Sequence, residues 1–187
     1  MRLILLGAPG AGKGTQAAAL AEPFGVPHIS SGEFLRRHVA DGTELGRKVA
    51  RYLERGELAP DELVMAVVDE ALARTAAGYI LEGFPRTLSQ AREAEARHAS
   101  GLADAVVFLE LPDDVAWQRI AERMPTGRSD DRDREVVERR LRTFHAETDP
   151  VVDYYRDRGL LVTVDATPPP DAVTAAILTA LAGISQP

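Results

Sequence analysis

The sequence predicts an α/β fold in which a mostly parallel sheet is covered by helices on both faces. Three observations carry this reading. Five short apolar runs have the length and burial signature of strands: Arg2–Leu6, Pro27–Ser30, Tyr79–Phe84, Ala105–Leu111 and Leu160–Asp165. The segments between them have helical spacing and are rich in Ala, Leu, Arg and Glu. Strands that alternate with helices in this way form βαβ units, and such units build a parallel sheet. At 187 residues and 45% hydrophobic content the chain is sized for one domain with a real core.

Taken in order, Arg2 and the apolar Leu3–Leu6 run faintly resemble a signal peptide, but Gly7 and Pro9 end the run too early for a secretory signal to be expected. A helix follows, then the short strand Pro27–Ser30. From Ser30 to Gly78 only helical patterns occur, punctuated by Gly42, Gly46, Gly56 and Pro60. A simple crossover does not need that length, so several helices are expected to project from the sheet. After the strands Tyr79–Phe84 and Ala105–Leu111, Met124 to Asp133 reads as a polar loop between Arg-rich helices, a second excursion. Pro168-Pro169-Pro170 stiffens the turn between the last strand and the last helix. The stretch from Ala172 to Pro187 carries no charge, but it is shorter than the ~20 residues of a membrane span and is interrupted by Thr174 and Thr179. It reads as an amphipathic surface helix. The expectation is a cytoplasmic protein without a membrane partner.

Composition narrows the chemistry. Cysteine is absent, which excludes disulfides, a thiolate metal site and a catalytic thiol. The net charge of −7 is a poor field for a nucleic acid polymer, and none is expected as a partner. The basic residues are 20 Arg and only two Lys, Lys13 and Lys48. Their distribution is uneven. Residues 119–142 hold eight Arg against six acids, a net +2, while the remainder holds 14 basic residues against 23 acids, a net −9.

Gly7-Ala8-Pro9-Gly10-Ala11-Gly12-Lys13 matches the G-x-x-x-x-G-K loop and lies between a strand and a helix, where that loop belongs. Its glycines let backbone N–H groups turn inward as an anion nest at a helix N-terminus, and Lys13 adds a full positive charge against β- and γ-phosphates. Gly14 separates the lysine from Thr15, where the usual motif has Ser or Thr directly after it. Guanine-specific switch proteins read their base through Asn-Lys-x-Asp, and a chain with no asparagine cannot contain that motif.

Three spaced segments then resemble the adenylate kinases: Leu6-Gly-Ala-Pro-Gly-Ala-Gly-Lys-Gly-Thr-Gln16, Ser30-Ser-Gly-Glu-Phe-Leu-Arg36, and Leu81-Glu-Gly-Phe-Pro-Arg-Thr87 with Gln90. The similarity runs over essentially the whole chain, ending with Val164-Asp165 before the last helix. The resemblance implies a P-loop NTPase fold, a three-layer α/β/α arrangement with a five-stranded parallel sheet. It also implies one domain, with a core of 1–29, 60–123 and 135–187, a helical NMP-binding excursion over 30–59 and a short lid over 124–134.

The reaction it implies is Mg²⁺-dependent reversible transfer, ATP + AMP ⇌ 2 ADP, by a monomer. Aligning two polyanions and neutralising their charge is the main task in such a transfer, and guanidinium forks suit it. By resemblance, ATP would be held by Gly10, Ala11, Gly12, Lys13, Gly14 and Thr15, with Arg119, Arg123 and Pro168. AMP would be held by Ser31, Arg36, Arg86 and Gln90, by backbone at Glu57, Leu58 and Ala59 and at Gly83, Phe84 and Pro85, and by Arg128 and Arg140. Lys13, Arg86, Arg123, Arg128 and Arg140 would surround the transferring group. Glu82, through water, and Thr15 would serve Mg²⁺, held otherwise by phosphates and water.

Only Met124-Pro-Thr-Gly127 separates Arg123 from Arg128, which matches the short-lid form and leaves no zinc-bearing insertion. The sequence departs from the family in three places. Glu82 replaces the usual Asp, Ser31 and Glu33 replace the commoner Thr and Asp, and the stretch from Arg128 to Arg140 is one residue longer, which leaves Arg139 as the alternative to Arg140. Arg132, Arg134, Arg139 and Arg142 have nearby acids and read as exposed pairs. The four histidines, His28, His38, His98 and His145, show no ligand spacing and read as structural or surface residues. Two other functions stay open at this point: a UMP/CMP-type kinase, against which Thr87 and Gln90 weigh, and a nucleotide-sensing module without catalysis.

Overall fold

Along β1 (Arg2–Gly7) the side chains alternate between two cores: Ile4 and Leu6 join one, Leu3 and Leu5 the other. This is the two-residue period of a strand buried on both faces. β1 is the middle strand of a five-stranded sheet with β2 (His28–Ser30), β3 (Tyr79–Glu82), β4 (Ala105–Glu110) and β5 (Leu161–Asp165), in the order β2-β3-β1-β4-β5. Every neighbouring pair is parallel. The computed structural model describes residues 1–75, 77–98, 101–123 and 133–184.

Helices cover both faces. The core containing Ile4 and Leu6 is closed by α2 (Ser31–Ala40), α3 (Glu44–Glu54), α4 (Asp61–Leu72), α5 (Leu88–Arg97) and α8 (Asp149–Arg156). The core containing Leu3 and Leu5 is closed by α1 (Lys13–Phe24), α6 (Asp113–Arg123), α7 (Arg134–Thr143) and α9 (Pro170–Ile184). The three layers match the expected α/β class. As read, helices are the only regular elements among the described residues between Ser30 and Tyr79, namely α2, α3 and α4. Among the described residues, no helix is long and apolar enough to cross a membrane.

Strand ends differ from expectation by one or two residues. The run read as Tyr79–Phe84 stops at Glu82, because Gly83 takes φ +80° and carries the chain off the sheet. Pro27 lies outside β2, although its carbonyl still accepts from the Ile80 amide at 2.9 Å. Gly7 extends β1 by pairing with Leu109.

Two features position the site. The chain leaves β1 for β2 on one side of the sheet, and the β3–β4 connection crosses to the other, so the C-terminal end of β1 is a topological switch point, where parallel sheets bind ligands. The second feature is a π-helical turn, Phe144–Thr148, between α7 and α8. Pro150 stands in the first turn of α8 and has no N–H for the carbonyl four residues back, and its ring crowds that carbonyl. A wider turn before the proline relieves both problems.

Candidate active site

At the C-terminal end of β1 the loop Gly7–Gly12 turns into α1. Gly12 caps that helix in the left-handed region (φ 84°) with no side-chain hydrogen bond to the first turn. The first-turn N–H groups and the helix dipole make such an end an anion site. The Lys13 ammonium donates to the carbonyls of Gly7 at 2.7 Å and Ala8 at 2.9 Å, which curls it over the loop. Next to the loop, Glu82 ends β3 in register with Leu5 of β1 and Ser30 of β2. Its carboxylate faces α1: a Cβ placed on Gly14 would lie 3.5 Å from Glu82 Oε2. The same oxygen meets His28 Nε2 at 3.0 Å.

A second group of polar side chains sits where α2 and the β3–α5 connection converge. Ser30 caps α2 through its hydroxyl, placing Ser31 in the helix's first turn. Ser31 Oγ donates to the Gly83 carbonyl at 2.7 Å, and Arg86 Nε donates to the same oxygen at 2.8 Å. The two guanidinium groups share one space, since a Cβ on Gly32 would lie 3.1 Å from Arg36 Nη1 and 3.6 Å from Arg86 Nη2. Bringing two cations this close is favourable where an anion sits between them.

Gln90 is almost wholly buried. Its Oε1 accepts from the Arg86 amide at 2.7 Å and its Nε2 donates to Asp61 Oδ1 at 2.7 Å. These partners fix which way the amide points. Asp61 also accepts from Thr87 Oγ1 at 3.1 Å, and Thr87 caps α5.

Both groups open into one cavity of about 350 Å³, within the size range of small-molecule sites. Lys13, Thr15, Glu82, Ser31, Arg36, Arg86 and Gln90 line it, together with Gly10, Gly12, Gly14, Gly83, Pro85 and the Glu57–Ala59 segment. Arg123 at the end of α6 and Arg140 on α7 line it as well. Arg139 points elsewhere: it donates to the Arg55 carbonyl at 3.1 Å and lies 3.8 Å from Glu57. Gly56 (φ +67°) lets this contact form, because a Cβ there would be 2.9 Å from Arg140 Cγ and from the Val136 carbonyl.

A cradle and an arginine pair around one cavity call for comparison with known proteins, and the sequence profile of the family described as adenylate kinase matches residues 5–160. The chain belongs to the adenylate kinase family. It is accordingly a nucleoside monophosphate kinase, a phosphotransferase. Adenylate kinase of Mycolicibacterium paratuberculosis is 45% identical over 186 residues, covering 97% of this chain and 99% of the relative. That of Thermobifida fusca is 41% identical over 185 residues, covering 97% and 98%. Adenylate kinase of Streptomyces avermitilis is 38% identical over 213 residues, covering 97% of each. The last alignment is longer than the 187 residues of this chain, so that relative carries residues this chain lacks.

Within this adenylate kinase family member, the expected residues fall into four sets. Most line the cavity. Ala11 and Phe84 are buried in the two cores and are not part of the cavity lining. Arg119 and Pro168 lie outside the cavity lining, at the β5–α9 connection, where Arg119 Nη2 donates to the Thr167 carbonyl at 2.9 Å. Arg119 is four residues before Arg123, so the two share a face of α6 that runs from the cavity to that connection. Arg128 and most of the expected lid lie outside the described residues.

Three residues in or beside the site were not singled out by sequence. Asp61 orients Gln90, His28 contacts Glu82, and Thr148 Oγ1 donates to the Arg86 carbonyl at 2.9 Å. His28 had read as structural or surface, yet it touches a cavity-lining acid. No short motif marks these residues, because each partner comes from a distant part of the chain.

The donor set suits a cation carried by phosphates rather than a protein cage. Among the described residues no cluster of three or more His, Asp or Glu is placed to hold a metal, and the chain has no cysteine for a thiolate zinc site. Thr15 and Glu82 carry oxygens of the type Mg²⁺ accepts and line the cavity beside the loop.

Proposed function

We propose that this chain catalyses ATP + AMP ⇌ 2 ADP with both nucleotides in the one cavity, the P-loop holding the donor and the Arg36–Arg86 pair holding the acceptor phosphate. The observation that carries this is the shared cavity: an anion nest with a lysine at one end, and two guanidinium groups converging at the other. Proximity alone accounts for much of the rate in such transfers, since no covalent nucleophile is needed from the protein.

Lys13 exchanges the carbonyls of Gly7 and Ala8 for the donor's β- and γ-phosphate oxygens. Ser31, Arg36 and Arg86 fix the AMP phosphate, and Gln90, held by Asp61, reads an adenine edge with the amide hydrogen and lone pair that its protein partners leave over. Arg123, Arg140 and Arg128 stabilise the charge spreading over the transferring group. The donor's adenosine runs along α6 toward Arg119 and Pro168. Mg²⁺ bound to the phosphates would supply charge neutralisation and hold their oxygens in line. Thr15 and Glu82 would serve that ion, Glu82 through water.

Residues 30–59 and 124–134 would close over the nucleotides, with the remainder as the core, and closure would exclude water and so suppress hydrolysis of ATP. The near one-to-one alignments with the Thermobifida and Mycolicibacterium relatives support a short lid. The chain acts as a cytoplasmic monomer on free nucleotides.

A panel of AMP, CMP, UMP and GMP as acceptors with ATP tests the assignment. AMP is expected to be preferred clearly; preference for a pyrimidine acceptor, or ATP binding without ADP formation, would overturn it.

A further inference from the structure

The Arg86 side chain is only as well placed as its backbone, and that backbone is held from two directions. Its amide donates to Gln90 Oε1, four residues on in the same segment, at 2.7 Å. Its carbonyl accepts from Thr148 Oγ1, 62 residues away, at 2.9 Å. Thr148 is 6% exposed and lines the cavity at the end of the π-helical turn. A hydroxyl has one hydrogen to give, and here it goes to Arg86. Arg140 lies on α7, the helix that runs into this turn, so the same continuous helical segment carries a cavity-lining arginine at one point and fixes Arg86 at another.

We propose that Thr148 is a positioning residue for Arg86: its hydroxyl sets the register between the α7–α8 segment and the acceptor clamp, and thereby the affinity for the nucleoside monophosphate. This rests on the reading of Arg86 as a ligand of the acceptor phosphate. Pro150 takes part indirectly, because the wide turn it imposes is the one on which Thr148 sits. A standard α-turn would rotate each following side chain by a different amount and carry the hydroxyl away from the carbonyl.

The test is steady-state kinetics of Thr148→Val, Thr148→Ser and Arg86→Ala with each substrate varied in turn, with Tm measured alongside. Val keeps the shape and removes the donor, so the part-buried Arg86 carbonyl loses this hydrogen bond. The expected result for Thr148→Val is a KM for AMP raised about 5- to 30-fold, a KM for ATP within about twofold of the parent, and near-parent values for Thr148→Ser. Equal shifts in both KM values, or a lowered Tm with an unchanged KM for AMP, would assign Thr148 a structural role only and overturn the proposal. Arg86→Ala separates the two levels. If it leaves the AMP parameters unchanged, the clamp reading itself fails; if it impairs them while Thr148→Val does not, the positioning role alone fails.

Discussion

Arg86 and Glu82 sit four chain positions apart, yet they face different tasks, and single substitutions separate them. Arg86 shares its space with Arg36, and a phosphate between two guanidinium groups accepts charge-assisted hydrogen bonds from both. Arg86→Ala is expected to lower kcat/KM for AMP by roughly 10²–10³-fold, with ATP binding, measured in the absence of AMP by titration calorimetry, little changed. Glu82 is an acid with a longer reach than the family's usual Asp, and the structure shows where the extra methylene goes: its Oε2 meets His28 at 3.0 Å while facing Gly14. Glu82→Gln keeps the shape and removes the charge. Activity at limiting Mg²⁺ is expected to fall by about 10–100-fold and to recover in part at saturating Mg²⁺. A Mg²⁺ dependence identical to the parent's would make Glu82 a packing residue.

At the scale of elements, the α7–π–α8 segment is tied to α6 by His145. Its Nδ1 meets Asp149 at 2.9 Å and its Nε2 meets both oxygens of Asp113 at 3.0 Å. A neutral imidazole donates from one nitrogen only, so this geometry belongs to the protonated ring. The hydrogen bonds to Asp149 and then Asp113 raise its pKa above the ordinary histidine value. The stabilisation is therefore complete below the unfolded-state pKa and is lost as pH rises through the higher folded-state value. The Tm gap between the parent and His145→Gln is expected to be largest near about pH 6 and to shrink as pH rises; a gap independent of pH would rule out the ion pairs as its source.

The same elements show what the sequence does and does not disclose. The P-loop, the Ser31–Arg36 stretch of α2 and the Arg86–Gln90 segment entering α5 are local strings whose chemistry and cap residues lie within a few positions of each other, and the apolar runs locate the five strands of the sheet. His28–Glu82, Gln90–Asp61 and Thr148–Arg86 join positions 54, 29 and 62 residues apart. Such pairs depend on strand register and helix docking, which no local pattern encodes. The π-helical turn is hidden for a related reason: Pro150 signals a helix start as readily as a widened turn within a longer helical segment.

For the whole molecule, the acidic total and the site reconcile through distribution. A net charge of −7 repels polyanions at long range, but the cavity gathers Lys13, Arg36, Arg86, Arg123 and Arg140 on one concave surface inside the sheet's C-terminal edge. A parallel sheet delivers this by topology, because β1 and β3 end side by side at the switch point and each hands its loop to the same cavity. In the proposed reaction donor and acceptor meet there directly. The most direct measurement is the fate of label from ATP marked at the γ-phosphoryl group, incubated with AMP and Mg²⁺ and resolved before appreciable back-reaction. The label is expected as the β-phosphate of ADP formed from AMP, with one unlabelled ADP from ATP for each labelled one. Label released as inorganic phosphate at the same rate with and without AMP, or no transfer at all despite nucleotide binding, would contradict it.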